Sequence, residues 1–218
     1  MLELFLIVGT ILMLFVTLYI KSIYQIELWK TITTTVILTF VGVFGTQILF
    51  LIETGKWGGT SFFGAVFLTP VIMTFWALVI KSPIGAILDM CAPAECIMLA
   101  LMKVRCLIYK CCGGRVIFSS KTCEVRFPSQ IVEMITSIII MVVLIKVIKK
   151  KNHENQIYAW YMILYGITRF ILNILRDTKP FIWIIPAGNF WALISVILGI
   201  LWLTLYDRYI SRKYDNRE

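Results

Sequence analysis

The sequence predicts an all-α integral membrane protein with about seven transmembrane helices. Hydrophobic residues make up 60% of the 218 positions, charged residues make up 15%, and the mean hydropathy is +0.88. A soluble domain needs a more polar surface, so most of this surface must contact lipid. The strict alternation of apolar and polar residues that is typical of a transmembrane barrel is absent. A helical bundle is therefore the spanning structure that satisfies the backbone hydrogen bonds.

Seven segments have the length and composition of membrane helices, because a helix needs around 20 mainly apolar residues to cross the hydrocarbon layer. They are residues 2–20, 31–52, 65–80, 84–109, 128–148, 157–175 and 185–206. The first segment carries Glu3 rather than a basic leader, and its apolar stretch is longer than that of a typical signal peptide. We therefore expect it to remain as a helix. No long linker or internal repeat divides the chain, which predicts a single transmembrane domain over residues 1–218.

The distribution of Lys and Arg predicts the orientation. The net charge is +9, and basic residues are retained on the cytoplasmic side of a membrane. Placing the N-terminus outside and the C-terminus inside puts the larger share of the loop charges inside, including Lys149, Lys150 and the tail 208–217. The loop 110–127 keeps basic residues on the outer side, which favours contact with anionic lipid. Nucleic-acid binding is excluded because no soluble basic domain exists to carry it.

The cysteines predict packing rather than metal binding. Three of them lie in the fourth segment as small apolar residues: Cys91, Cys96 and Cys106. A disulfide from Cys123 to Cys111 or Cys112 is an alternative left open if the outer side is oxidising. The spacing is not that of a zinc site, and the one histidine, His153, falls in a loop on the opposite side. We therefore expect neither a metal nor a cofactor.

A polar stripe runs along the sixth segment. Tyr165, Arg169, Asn173 and Arg176 are spaced at i, i+4, i+8 and i+11, so they share one face of a helix, which we expect to point into the bundle. An arginine at the centre of a spanning helix costs about 2.5–3.5 kcal/mol on insertion scales. It should therefore point at a carboxylate, a cavity or a phosphate. Three carboxylates are available within the helices: Asp89, Glu95 and Glu133. Pairing of Arg169 with one of them, to lock the helices together, is the alternative to a binding role.

Cations outnumber the three acids in what we predict to be the outer half of the bundle. They are Lys103, Arg105, Arg126, Arg169 and Arg176. An excess of positive charge suits a phosphate group. The loop that leads into the third segment adds a second candidate for anion binding. There Gly58, Gly59 and Gly64 allow close backbone approach, and Ser61 lies with exposed amides near a helix start.

Five motifs, taken in order, resemble those of bacterial prolipoprotein diacylglyceryl transferases. They are GGTSFFGA from Gly58, Asp89 followed by Ala92-Pro93, KCCGGR from Lys110, RFPSQIVE from Arg126 and YGITRFILNILR from Tyr165. The resemblance covers roughly residues 57–206. It implies a seven-helix enzyme of the bacterial cytoplasmic membrane, with its site toward the outer leaflet. Such an enzyme transfers diacylglycerol from phosphatidylglycerol to the thiol of a lipobox cysteine in a precursor protein and releases glycerol phosphate.

The resemblance and the charge pattern together assign the candidate site. Arg169 matches the arginine of the family's sixth-helix motif, and Ser129, Gln130 and Glu133 match its serine, glutamine and glutamate positions. We expect a catalytic role for Arg169, Glu133, Lys103 and Arg105. We expect phospholipid contacts from Arg126, Gln130, Ser129, Gly59, Ser61, Asn173, Arg176 and Tyr165.

The chain departs from the family's pattern at three positions. Phe63 stands where the family has histidine, and Asn173 stands where it has glutamate. Lys103 replaces an arginine, which keeps a point charge but loses the bidentate fork, although Arg105 follows two residues later. Two hypotheses follow: a lipid transferase with altered acceptor chemistry, or a noncatalytic relative that binds lipid or a partner protein. A transporter is disfavoured, since broken helices in paired halves are not evident.

Overall fold

The computed structural model describes residues 2–111, 113–119, 124–150, 155–176, 180–182 and 185–215. Seven helices make up most of this part of the chain, which confirms the all-α prediction. They are α1 (Leu2–Tyr24), α2 (Leu28–Thr54), α3 (Phe63–Val79), α4 (Ile84–Ile108), α5 (Ser129–Lys149), α6 (Ile157–Ile174) and α7 (Ala187–Asp215). All except α3 are long and apolar enough to cross a bilayer. The protein is therefore a multi-pass membrane protein.

Two short antiparallel hairpins lie in the loops, where the sequence analysis expected no strands. The first pairs β1 (Val116–Ser119) with β2 (Glu124–Arg126), and the second pairs β3 (Pro180–Ile182) with β4 (Ile185–Pro186). Both hairpins, the start of α1 and the loop between α2 and α3 lie at the same end of the bundle, because successive helices alternate in direction. We call this end the hairpin face. The hairpin face carries the residues that the sequence analysis predicts to be outside.

Helix α4 lies at the centre of the bundle. In its most apolar 18-residue stretch 72% of the residues are buried inside the protein, against 28% in the corresponding stretch of α2 or of α5. Its small residues, among them Ala92, Ala94 and Cys96, are almost completely buried and let neighbouring helices approach closely. A polar side chain on α4 therefore faces other helices rather than lipid.

The third helix begins inside the bundle rather than at the hairpin face. Gly55 ends α2 in the left-handed region, with φ 68°, and donates its N–H to the Leu51 carbonyl. The chain then turns back, and the Ser61 N–H donates to the Thr46 carbonyl at 2.9 Å. Thr46 lies about two helical turns before the end of α2. This return loop explains why α3 has only 17 residues.

Two glycines hold this return loop against α2. A Cβ atom on Gly64 would lie 1.9 Å from the carbonyl oxygen of Gly45, and a Cβ on Gly45 would lie 2.6 Å from the carbonyl oxygen of Gly64. The two backbones are therefore in direct contact, as is usual where small residues meet in membrane proteins. Any side chain at either position would push the start of α3 away from α2.

Gly45→Ala is expected to lower the thermal unfolding midpoint of the detergent-solubilised protein, since overpacking of this kind costs about 1–3 kcal/mol. Gly42→Ala is the matched control, three residues earlier in the same helix, because a Cβ there would meet nothing within 4 Å. Intrinsic tryptophan fluorescence during heating measures the unfolding midpoint of each variant. Equal midpoints for the two variants would contradict the proposed contact.

Candidate functional site

One carboxylate holds three cations near the hairpin face. Glu133, in the second turn of α5, is only 5% exposed. Its Oε2 pairs with Lys103 of α4, and its Oε1 accepts from Arg169 of α6 and, at 3.2 Å, from Nη1 of Arg176. The cluster therefore links α4, α5 and α6 through a single acidic side chain.

Arg169 pairs with the Glu133 carboxylate, which was the predicted alternative to a binding role. The cluster nevertheless keeps a net positive charge. Glu133 can balance one of its three cations, and Arg105 adds a fourth cation two residues after Lys103. The Arg105 guanidinium lies 5.3 Å from the centre of the Tyr109 ring. The Nε atoms of Arg105 and Arg176 are buried and have no hydrogen-bond partner among the described residues. Unused donors on charged groups at this depth favour an anionic ligand.

The cations border a cavity of about 270 Å³. Its polar end, toward the hairpin face, is lined by Glu53, Ser61, Lys103, Arg105, Arg169 and Arg176. Its deeper walls are mostly apolar and include Met13, Leu38, Val43, Met98 and Leu99, with Glu95 as the one carboxylate among the described residues at that depth. The cavity therefore offers charged groups at one end and hydrocarbon contacts at the other.

An apolar groove of about 490 Å³ runs between α1 and α2. Leu6, Thr39 and Val43 line both this groove and the cavity. The outer sides of the two helices expose large apolar residues such as Ile11 and Phe40, as a surface in contact with lipid does. The groove therefore lies between the lipid-facing surface and the cavity.

Glu53 is a cavity residue that the sequence analysis missed. It directly follows the predicted segment 31–52, and charged residues are common at the ends of membrane segments. Glu53 lies seven residues after Thr46, however, which places both residues on one face of α2. The Ser61 hydroxyl donates to Glu53 Oε1 at 2.6 Å, and Arg169 attracts Glu53 electrostatically. Ser61 therefore contacts a carboxylate, which corrects the prediction that it lies ready to bind an anion.

Aromatic rings form the wall where the resemblance implies a histidine. Phe63 is 2% exposed, and its ring centre lies 5.1 Å from that of Tyr165. Phe62 also contacts Tyr165, at 5.5 Å, and all three residues line the cavity. The structure thus places Tyr165 at the cavity, as the helical spacing predicts. Its contact with lipid stays a prediction.

Asn173 lies behind the cavity wall instead of in it. It is 2% exposed, and neither polar atom of its amide has a hydrogen-bond partner among the described residues. A Cβ on Gly188, which does line the cavity, would lie 2.3 Å from the Asn173 amide nitrogen. The interior direction of the sixth-helix stripe is confirmed, but Gly188 separates this amide from the cavity.

Besides Asn173, four residues predicted to contact lipid are not among the described residues that line the cavity: Arg126, Gln130, Ser129 and Gly59. Gln130 donates from Nε2 to the Cys111 carbonyl at 2.6 Å and so holds the loop after α4 against α5. Ser129 is fully buried. Arg126 is exposed on β2, and Gly59 packs under the Phe50 ring. The loop residues could not be placed from the sequence because their direction depends on the hairpin and the return loop.

Of the three predicted carboxylates, only Glu133 meets the cations. Asp89 lies at the opposite face, where it accepts from the Tyr24 hydroxyl at 2.9 Å and from the backbone N–H groups of Asn155 and Ile157 at 2.6 and 3.0 Å. Asp89 therefore satisfies the N-terminus of α6. The prediction that it shares the outer half of the bundle is wrong, because α4 begins at that opposite face.

Two cysteines of α4 pack as predicted, since Cys91 and Cys96 are buried among apolar side chains. Cys106 is partly exposed and lines the cavity, so the packing prediction does not hold for it. Cys111 carries a free thiol. Cys112, Cys123 and His153 lie outside the described residues. The remaining disulfide alternative, between Cys112 and Cys123, stays a prediction.

A family model described as prolipoprotein diacylglyceryl transferase matches residues 4–205. The chain belongs to this family. A curated relative from Verminephrobacter eiseniae (strain EF01-2), named phosphatidylglycerol–prolipoprotein diacylglyceryl transferase, is 26% identical over 161 residues. The match covers 66% of this chain and 58% of the relative, so the chain spans less than two thirds of that protein's length. The family that the sequence analysis named is thereby confirmed, and it is a family of transferases in lipoprotein biosynthesis.

Glu133→Gln is expected to destabilise this family member by about 3–5 kcal/mol, because it leaves three cations together without their shared partner. Thermal unfolding in detergent measures the effect. Glu27→Gln is the control, since Glu27 is an exposed glutamate at the opposite face. Adding Lys103→Met to Glu133→Gln should recover part of the loss. A Glu133→Gln midpoint equal to that of the control would contradict the coupling.

Proposed function

We propose that this protein transfers a diacylglyceryl group from phosphatidylglycerol to a cysteine thiol of a lipobox-containing precursor. The observation that carries the proposal is the charge at the polar end of the cavity. Four cations lie there against the carboxylates of Glu133 and Glu53, which leaves a formal excess of two positive charges. A phosphodiester bound at this position would neutralise part of the excess.

The phosphate would lie among Lys103, Arg105 and Arg169. The buried Nε of Arg105 supplies a donor that has no hydrogen-bond partner in the described part of the chain, and a guanidinium matches phosphate geometry better than an ammonium does. Lys103 would contribute a point charge to the same group. Before lipid binds, Glu133 would hold these cations in position. A phosphate that enters the cavity would then compete with Glu133 for their N–H donors.

The apolar part of the cavity would hold the acyl chains. Met13, Leu38 and Leu99 provide hydrocarbon contacts below the cations. The groove between α1 and α2 shares Leu6, Thr39 and Val43 with the cavity, so a chain could enter from the bilayer without leaving an apolar environment. This division of polar and apolar contacts matches the two ends of a phospholipid.

The reaction would use the cations on the leaving group. The sulfur of the acceptor thiol loses its proton to a base and attacks the glycerol carbon that carries the phosphate ester, a sulfur–carbon bond forms, and the carbon–oxygen bond breaks. Glycerol phosphate leaves with the electron pair, and its oxygen gains negative charge in the transition state. Preorganised cations at that oxygen stabilise the transition state, and removal of one such donor typically costs about 10²–10³ in rate.

The family and the loop charges support a location in the bacterial cytoplasmic membrane with the hairpin face outside. Lys146, Lys149 and Lys150 end α5 at the other face, which suits the cytoplasmic side. The N-terminus would then be outside and the C-terminus inside, and residues 1–218 would act as one transmembrane domain. A secreted precursor could then reach the polar end of the cavity from outside.

A noncatalytic lipid-binding relative is the second candidate. Phe63 and Asn173 favour it, because neither can carry a proton as the family's histidine and glutamate can. Such a protein would hold an anionic phospholipid in the same cavity and present it to a partner protein.

Arg169→Ala is expected to abolish both phosphatidylglycerol binding and transfer, since it removes a guanidinium from the bound phosphate. Cys91→Ser is expected to be tolerated, since Cys91 is buried in α4 and does not line the cavity. A purified-protein assay with phosphatidylglycerol and a lipobox cysteine peptide measures lipid modification and release of glycerol phosphate. Loss of activity in Cys91→Ser together with normal activity in Arg169→Ala would overturn the placement of the site.

The double variant Phe63→His with Asn173→Glu distinguishes the two candidates. The transferase proposal predicts measurable transfer by the unaltered protein in the same assay. Activity that occurs only in the double variant would favour the noncatalytic candidate. Release of glycerol phosphate by the parent protein would exclude it.

A further inference from the structure

We propose that the Glu53 carboxylate accepts the proton of the acceptor thiol, and that Ser61 acts as a positioning residue for it. This inference rests on the proposed transferase function and names the base that the reaction needs. Glu53 lies outside the five motifs that carry the family resemblance. Its assignment comes from the position of its carboxylate in the cavity.

The base must lie close to the bound phosphate, because the attacked carbon is one bond away from the phosphate ester oxygen. Among the described residues, three carboxylates line or border the cavity: Glu53, Glu95 and Glu133. Glu133 already accepts from three cations through both of its oxygens. A carboxylate saturated in this way is a poor proton acceptor.

Glu95 is too deep to serve. It precedes Lys103 by eight residues on α4, which corresponds to about 12 Å along the helix axis. It is 4% exposed and accepts a hydrogen bond from the Tyr158 hydroxyl at 3.3 Å. A base at that distance could not reach a thiol that attacks beside the cations.

Glu53 lies at the required level. It lines the polar end of the cavity together with Arg105 and Arg169, and its carboxylate is half-buried rather than enclosed. The Ser61 hydroxyl donates to Oε1 at 2.6 Å, which fixes the orientation of the carboxylate. Ser61 belongs to the return loop and precedes Phe63 by two residues. Glu53 therefore offers a proton acceptor close to Phe63, which stands at the family's histidine position and cannot accept a proton.

The step balances without a further reactant. As sulfur attacks the glycerol carbon, the S–H proton passes to Glu53 while the sulfur–carbon bond forms and the carbon–oxygen bond to phosphate breaks. The glycerol phosphate product carries away the electron pair of the broken bond. Glu53 then releases its proton to water at the hairpin face.

The test compares Glu53→Gln with the unaltered protein over pH 6.5–9.5 in the assay with phosphatidylglycerol and a lipobox cysteine peptide. At pH 6.5 the rate should fall about 100-fold, the lower range for removal of a general base. A free thiol has a pKa of about 8.5, so at pH 9.5 the peptide ionises without help and the deficit should shrink to within about fivefold. Ser61→Ala should show a smaller deficit with the same pH trend, and Glu53→Asp should retain part of the activity.

Lipid binding separates this inference from the function on which it rests. Phosphatidylglycerol should bind Glu53→Gln at least as tightly as the unaltered protein, because the substitution removes a negative charge near the phosphate. Glu27→Gln, at the opposite face, should match the unaltered protein at every pH. Full activity of Glu53→Gln at pH 6.5, or a loss that does not change with pH, would overturn the role of Glu53 and leave the transferase proposal intact. An unaltered protein that binds the lipid but transfers nothing at any pH would overturn the transferase proposal itself.

Discussion

The structure depends on the high cost of charge inside a membrane protein. An isolated buried ion costs several kcal/mol, and the cost is offset only where an opposite charge and hydrogen bonds meet it. Glu133 meets that requirement for Lys103, Arg169 and Arg176 at once. Without Glu133 the three cations would repel one another. With Glu133 they remain together, and the cluster keeps a net positive charge. The same carboxylate therefore stabilises the bundle and keeps the site electropositive.

The fold supports this cluster from two sides. Central helix α4 carries Lys103 and Arg105 toward the cavity because its small buried residues let α1, α3 and α5 surround it. The return loop before α3 brings Ser61 and Phe63 down to the level of Thr46, and the contact of Gly45 with Gly64 holds it there. The cavity exists because this loop closes one wall without filling the space between α2 and α4.

Helix positions could be predicted from the sequence, and so could the direction of residues within helices. Length and hydropathy located all seven helices, and the spacing of Tyr165, Arg169 and Arg176 predicted one inward face. Loop residues could not be placed in this way, because Arg126, Gln130 and Gly59 are directed by the hairpin and the return loop. Asp89 was assigned to the wrong end, although the alternating direction of the helices places the sixth residue of α4 near the opposite face. Glu53 was missed because charged residues are common at the ends of membrane segments. Only the return loop, whose Ser61 contacts the carboxylate, shows that Glu53 lies in the cavity.

The most direct measurement is a structure of the protein in nanodiscs that contain phosphatidylglycerol. We predict a phospholipid in the cavity, with its phosphate within about 4 Å of the charged nitrogens of Lys103, Arg105 and Arg169, the range of an ion pair, and an acyl chain against Leu38 and Leu99. A cavity without lipid, or a phosphate bound elsewhere while Glu133 keeps all three cations, would contradict it.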